Sequence, residues 1–359
     1  MQYSQSKLII NLKNITNNLS VVKKFCKNSI SSAVIKANAY GLGDVAIAKH
    51  LIKKKCNHFW VANILEALRI KKKISKINLY VLNGLNIGEE DVFYKNKLVP
   101  VINNYEQFKR WTNYLTKKKS FNKIIIQFDT GMCRSGIQES EMTKLLKDRV
   151  ILDKFKEVIL MSHLACADNK SDKYNKIQLE KFNKIKSLFP GYKYSLAASG
   201  GIFLGKNYHM DIIRPGIALY GGRLRFNKKL KNVASLISPI IQINKLKKGE
   251  SAGYSRTFIA KKNTTTATIP LGYADGIKIR ISNLGHVFFD GIKLPMIGRV
   301  SMDLMIIDVT RVEKKIKVGD FLEIFGKHQN IDKFAEIAQT LPYNILTSVS
   351  ERCDRIYLN

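Results

Sequence analysis

Residues 33–43 read AVIKANAYGLG. A short apolar run, Ala33-Val34-Ile35, meets Lys36. Tyr40 follows, then Gly41-Leu42-Gly43, and an apolar-periodic stretch opens at Asp44. The order is strand, lysine, small residues and glycines, helix, which is one β–α unit with an amine at the strand's inner end. Such a lysine can simply close the strand and reach water, and lysine is abundant in this chain. Desolvated in a pocket, it instead loses basicity and becomes a nucleophile toward carbonyls. The stretch alone leaves both readings open.

The same unit recurs along the chain. Strand-like runs lie near 33–36, 57–61, 78–82, 98–102, 123–128, 157–163, 193–198 and 211–214, with helix-like segments near 44–55, 63–74, 87–95, 104–117, 138–149, 173–188 and 200–205. Alternation with short links implies a parallel sheet. Eight such units predict an α/β fold of the TIM type, a closed (β/α)8 barrel over residues 1–231. An open doubly wound sheet is the alternative, and the lack of GxGxxG after the first strand weakens it. From about residue 232 to 359, helical periodicity gives way to alternating strands with Gly and Asp-Gly turns, so a mostly β C-terminal domain is expected, with a short helix near 331–340. The first ten or so residues, alternating polar and apolar, are candidates to pair with that domain.

Composition narrows the function classes. With 359 residues and 45% hydrophobic content, a sizeable core is available, which argues against global disorder. No apolar run approaches a membrane span, and the N-terminus lacks the features of a secretory signal, so the chain reads as cytoplasmic with no membrane partner. Cys26, Cys56, Cys133, Cys166 and Cys353 are scattered, odd in number and without a CxxC pair, which argues against a zinc site and a disulfide framework. The net charge of +33 raises nucleic acid as a partner. The lysines, however, spread over the whole chain, as in Lys53-Lys54-Lys55 and Lys117-Lys118-Lys119, and no nucleic-acid motif accompanies them, so a solvated basic surface is the better reading.

Barrel enzymes carry their chemistry at the C-terminal ends of strands. Polar residues there are Lys36, Arg134 in DTGMCRSG, His163 in MSHLACAD, Ser199-Gly200-Gly201, and Arg214 with Gly216 in RPGIALYGG. Singly, each has an ordinary structural reading. Together, a lysine, a glycine-rich helix start suited to phosphate and an arginine able to face a pyridine nitrogen are the parts of a pyridoxal phosphate site.

With SAGYSRTF, GYADG and GRVSMD following in order, the chain resembles the alanine racemases, barrel-type (fold type III) pyridoxal phosphate enzymes, nearly end to end. The resemblance implies an isomerase that interconverts L- and D-alanine on pyridoxal 5'-phosphate by a two-base mechanism, supplying D-alanine for cell-wall peptidoglycan. It implies that Lys36 holds the cofactor as a Schiff base and serves as one base, with Tyr254 as the other. Arg214 would contact the pyridine nitrogen, and His163 would sit between Arg214 and Tyr254. Tyr40, Ser199, Gly216 and Ile217 would bind phosphate, Arg134 and Met302 the substrate carboxylate, and Tyr273 and Asp303 would line the entrance. It further implies a head-to-tail homodimer with sites shared between subunits.

Three positions depart from the common pattern. Gln127 stands where some members carry a modified lysine, so a neutral amide would have to orient Arg134. Ala198 replaces a frequent Asn, and Glu351 stands where some members place a phosphate-contacting Tyr. A racemase for another small amino acid such as serine, a decarboxylase on a related barrel, and a basic binding protein that has lost activity remain as alternatives. Tyr254, a phenol that a decarboxylase does not need, speaks against the decarboxylase, and intact Lys36 and Tyr254 speak against the inactive binding protein.

Overall fold

The computed structural model describes residues 5–222, 227 and 229–359. Seven parallel strands run in sequence order: Ala33–Val34, His58–Val61, Asn78–Val81, Val99–Ile102, Lys123–Gln127, Glu157–Met161 and Lys193–Ser195. The eighth, Ile212–Ile213, pairs in parallel with Ile30–Ser31, which leads into the first strand. On its other side, Asp211 N donates to Tyr194 O (3.0 Å) and Arg214 N to Ala197 O (2.9 Å). The eighth strand therefore joins the seventh to the first, and the ring closes as expected.

Closure explains why the strands read as continuous apolar runs. Phe59, Trp60, Val61, Leu79, Val81, Ile124, Ile125 and Ile126 are fully buried, because helices cover the outside and side chains fill the inside. The covering helices include Asp44–Lys53, Ile64–Lys73, Tyr105–Lys118, Glu139–Lys147 and Tyr174–Leu188. Asn63 and Asn104 cap two of them, accepting from Glu66 N (3.0 Å) and Gln107 N (2.8 Å).

The C-terminal part forms a nine-stranded, mostly antiparallel sheet. Asp290 and Gly291, both with positive φ (49° and 80°), turn His286–Phe289 into Ile292–Ile297, the backbone that a two-residue hairpin requires. Strand Lys7–Asn11 belongs to this sheet, antiparallel to Ala234–Pro239 and parallel to Asp354–Leu358. Among the described residues no helix is long and apolar enough to cross a membrane.

Three local expectations are corrected. The helix Leu12–Phe25 was not anticipated, although its buried Leu12, Ile15, Leu19 and Val22 have helical spacing and Asn11 caps it. The expected helix near 331–340 is two, Ile331–Ile337 and Pro342–Ser348, since Pro342 opens a new first turn. The first strand stops at Val34 rather than at Lys36.

Candidate active site

Lys36 sits at the head of a left-handed turn. Ala37, Asn38, Ala39 and Tyr40 have φ of 51°, 53°, 50° and 59°, and Gly41 follows at 81°. Such backbone costs an L-residue on the order of 1–2 kcal/mol each, with Asn paying least, so the surroundings must hold it. Ala39 N donates to Ile35 O (2.8 Å), Gly41 N to Ala37 O (2.8 Å) and Gly43 N to Asn38 O (2.9 Å). The far end of the chain grips the same turn: Arg355 Nε donates to Gly41 O (3.2 Å) and Tyr357 Oη to Leu42 O (3.0 Å). The Lys36 amine is half-buried. Burial, and next the Arg134 guanidinium, pull its pKa below the ordinary lysine value, while Glu66 acts the other way.

Beside it lies a cluster of nitrogen groups. Arg214, 3% exposed, donates to Ser162 O (2.6 Å), Ser195 Oγ (2.5 Å) and Leu196 O (3.3 Å), and lies 3.5 Å from His163 Nδ1. Its guanidinium stands over the Trp60 ring, 5.7 Å from the centroid. Arg214 makes no ion pair with a described residue. Burial lowers its pKa to about 9, so it stays charged at neutral pH. Burial first, then Arg214, Arg134 and Lys36, push the His163 pKa down to about 3, which leaves its imidazole neutral. Arg134 itself is exposed. Among the described residues, no hydrogen bond joins Gln127 to it. The Gln127 Nε2 donates to Ser135 O (3.0 Å) and Ser135 Oγ (2.7 Å), so it fixes the loop one residue beyond Arg134.

A cradle completes this half of the site. Ser199 Oγ accepts from Gly216 N (2.9 Å) and Ala218 N (3.2 Å), joining the turn after strand seven to the turn after strand eight. Between them, Ile217 N finds no acceptor among the described residues. Tyr40 Oη likewise makes no hydrogen bond with them and lies so close to Gly216 that a Cβ there would overlap it. An N–H and an O–H are thus left over in a recess whose backbone is held open by glycine. Tyr343, a residue not singled out from the sequence, faces Tyr40 with ring centroids 5.9 Å apart, and burial raises its pKa to about 12. Glu351 is exposed.

The remaining candidates gather elsewhere. Tyr273 N donates to Ser301 O and Ala274 N to Met302 O (both 3.0 Å), which joins the Tyr273 and Met302 loops. A Cβ on Gly253 would lie 2.9 Å from Arg299 N, so the Tyr254 loop packs on the same segment. Asp303 accepts from Arg352 Nη1 (2.8 Å). Tyr254, Tyr273 and Met302 are 69%, 42% and 53% exposed. Among the described residues, no hydrogen bond or charge interaction connects Tyr254 to the Lys36 cluster. One chain therefore presents the residues as two groups.

Fold and site together define a two-domain barrel enzyme built around a lysine amine and an unpaired buried guanidinium. The family models for the alanine racemase N-terminal domain and C-terminal domain match residues 10–224 and 233–357. The chain belongs to the alanine racemase family, and it is an isomerase of that family. It is 40% identical over 352 residues to the alanine racemase of Rickettsia canadensis (strain McKiel), covering 98% of each chain. Among solved structures, the alanine racemase from Bartonella henselae with covalently bound pyridoxal phosphate superimposes with a TM-score of 0.95 at 36% identity, over 99% of this chain and all of that one. The biosynthetic alanine racemase from Pseudomonas aeruginosa gives a TM-score of 0.89 at 28% identity over 99% of this chain.

Proposed function

We propose that this chain interconverts L- and D-alanine with pyridoxal 5'-phosphate in the cytoplasm, as a homodimer, and that the D-alanine serves cell-wall peptidoglycan. The observation that carries the reading is the shared rim: the Lys36 amine, the unpaired Arg214 guanidinium, and a cradle with two unused donors, Ile217 N and Tyr40 Oη. These residues fit the cofactor. The cradle of Ser199, Gly216, Ile217 and Tyr40 would hold its phosphate, and Arg214, which has donors only, would hold its ring nitrogen. When bound, pyridoxal phosphate supplies the electron sink that makes the substrate α-proton removable.

The chain's own groups do the rest. Lys36, with its depressed proton affinity, moves a proton on one face of the α-carbon at a pH where an ordinary lysine would stay charged. Tyr254 of a second copy serves the opposite face, so the substrate need not turn over. Arg134 and Met302 hold the substrate carboxylate. Tyr273 and Asp303 border the way in. Neutral His163, between Arg214 and the incoming Tyr254, adds a hydrogen bond without adding charge. Arg214, which does not readily give up a proton, would leave the ring nitrogen unprotonated and so favour proton return over transamination.

The test is a chiral assay of the purified chain, supplied with pyridoxal 5'-phosphate, on L-Ala, L-Ser and a larger amino acid. D-Ala should form fastest. Lys36→Ala should lose both racemisation and the visible absorbance band of lysine-bound cofactor. A band that persists in this variant, or D-Ser outrunning D-Ala, would overturn the assignment.

A further inference from the structure

The left-handed turn after Lys36 is also held from the neighbouring β–α unit. Glu66, in the first turn of helix Ile64–Lys73, accepts from Ala37 N through Oε1 (2.8 Å) and from Ala62 N through Oε2 (2.7 Å). One carboxylate thus ties the residue after Lys36 to the end of strand His58–Val61. Both oxygens are used, each on a different backbone N–H. Glu66 is itself fixed, since its own N–H donates to Asn63 Oδ1 (3.0 Å). A charged acceptor bridging two N–H groups is a stronger tie than a neutral one. It acts where the backbone is least able to hold itself, at the first of four consecutive non-glycine residues with positive φ.

We infer that Glu66 is a positioning residue for racemisation, pinning the left-handed turn so that Lys36 and Tyr40 keep their places on the rim. The inference rests on the proposed role of Lys36 above. The pin has an electrostatic side as well: the same carboxylate opposes burial and Arg134 at the Lys36 amine. Geometry and charge can be separated by substitution. Glu66→Gln keeps the reach but removes the charge, and its NH2 meets one of the two N–H groups as a second donor. Glu66→Asp keeps the charge but is one methylene too short to span both.

Two measurements on the full-length chain decide the matter. In protein freed of cofactor, the pH dependence of Lys36 acylation by acetic anhydride, followed by mass spectrometry of the Lys36 peptide, reads the amine directly. In cofactor-loaded enzyme, kcat and KM for alanine are measured in both directions, well below each variant's Tm. The acylation curve should move to lower pH in Glu66→Gln and stay closer to the parent in Glu66→Asp. In both variants kcat should fall by about tenfold or more, as misplacement near the chemistry does, with KM changing much less. If kcat in both variants matches the parent under these conditions, whatever their Tm, Glu66 is a structural residue only and the inference is lost. A shifted acylation curve in a chain that racemises nothing would support the pin on Lys36 while removing the proposed reaction.

Discussion

His163 shows how the rim changes the character of a single side chain. Burial and three neighbouring cations hold its pKa down to about 3, against an ordinary 6.5. Between those pH values the unfolded chain carries the extra proton, so this residue makes folding stability fall as pH drops from about 6.5 toward about 3. The slope is at most about 1.4 kcal/mol per pH unit. Urea unfolding at pH 7, 5 and 4 should therefore show His163→Gln losing less stability on acidification than the parent; parallel losses would mean that His163 is charged in the folded state. At this scale the sequence was informative where a residue stood at a strand end. Lys36, His163, Ser199 and Arg214 could be found that way because a barrel turns strand ends into one rim. Glu66 and Tyr343 could not. Glu66 lies in the first turn of a helix, where an acidic residue is commonplace, and its partner Ala37 is defined only by the fold.

Among the elements, the left-handed turn is the one that local preference would not have produced. Ala and Tyr do not choose positive φ, and the stretch reads naturally as strand, glycine turn and helix. Contacts from Leu346, Arg355 and Tyr357, some 300 positions later in sequence, override that preference. Gly41 is where the turn meets main chain: its φ is 81° and a Cβ there would lie 2.5 Å from Leu346 O. Gly41→Ala should lower stability by roughly 1–3 kcal/mol, combining an unfavourable backbone with a clash against main chain. Differential scanning calorimetry would register this as a lower Tm, and an unchanged Tm would show that Leu346 can give way. The helix Leu12–Phe25 makes the opposite case. Its apolar spacing was readable, but the alternation just before it, in the strand Lys7–Asn11, obscured the change of period.

The molecule as a whole presents two incomplete groups. Lys36, Arg134, His163 and Arg214 share the barrel rim, whereas Tyr254, Tyr273 and Met302 stand exposed on joined loops of the β domain. If the two groups complete each other between copies, two inactive variants should rescue one another. Co-expressed Lys36→Ala and Tyr254→Ala chains, carrying different tags, would form mixed dimers. In these, one site inherits both defects and the other joins an intact Lys36 to an intact Tyr254. Activity in the purified mixed dimer and none in either parent is the expected result. Silence in a confirmed mixed dimer would assign each Tyr254 to its own barrel. The barrel followed from the strand–helix alternation; a site shared between chains has no such local signal, because no local pattern says which copy a loop faces, and only the family resemblance implies it.

The strand Lys7–Asn11 has a consequence for biosynthesis. Both of its hydrogen-bonding edges are occupied by segments made far later, Ala234–Pro239 and Asp354–Leu358. At translation rates of about 5–20 residues per second, one edge stays open on the ribosome until Asp354–Leu358 emerges, on the order of tens of seconds later. An apolar strand with a free edge is a template for mispairing. For that interval, the strand Lys7–Asn11 must stay unpaired until its proper neighbours arrive.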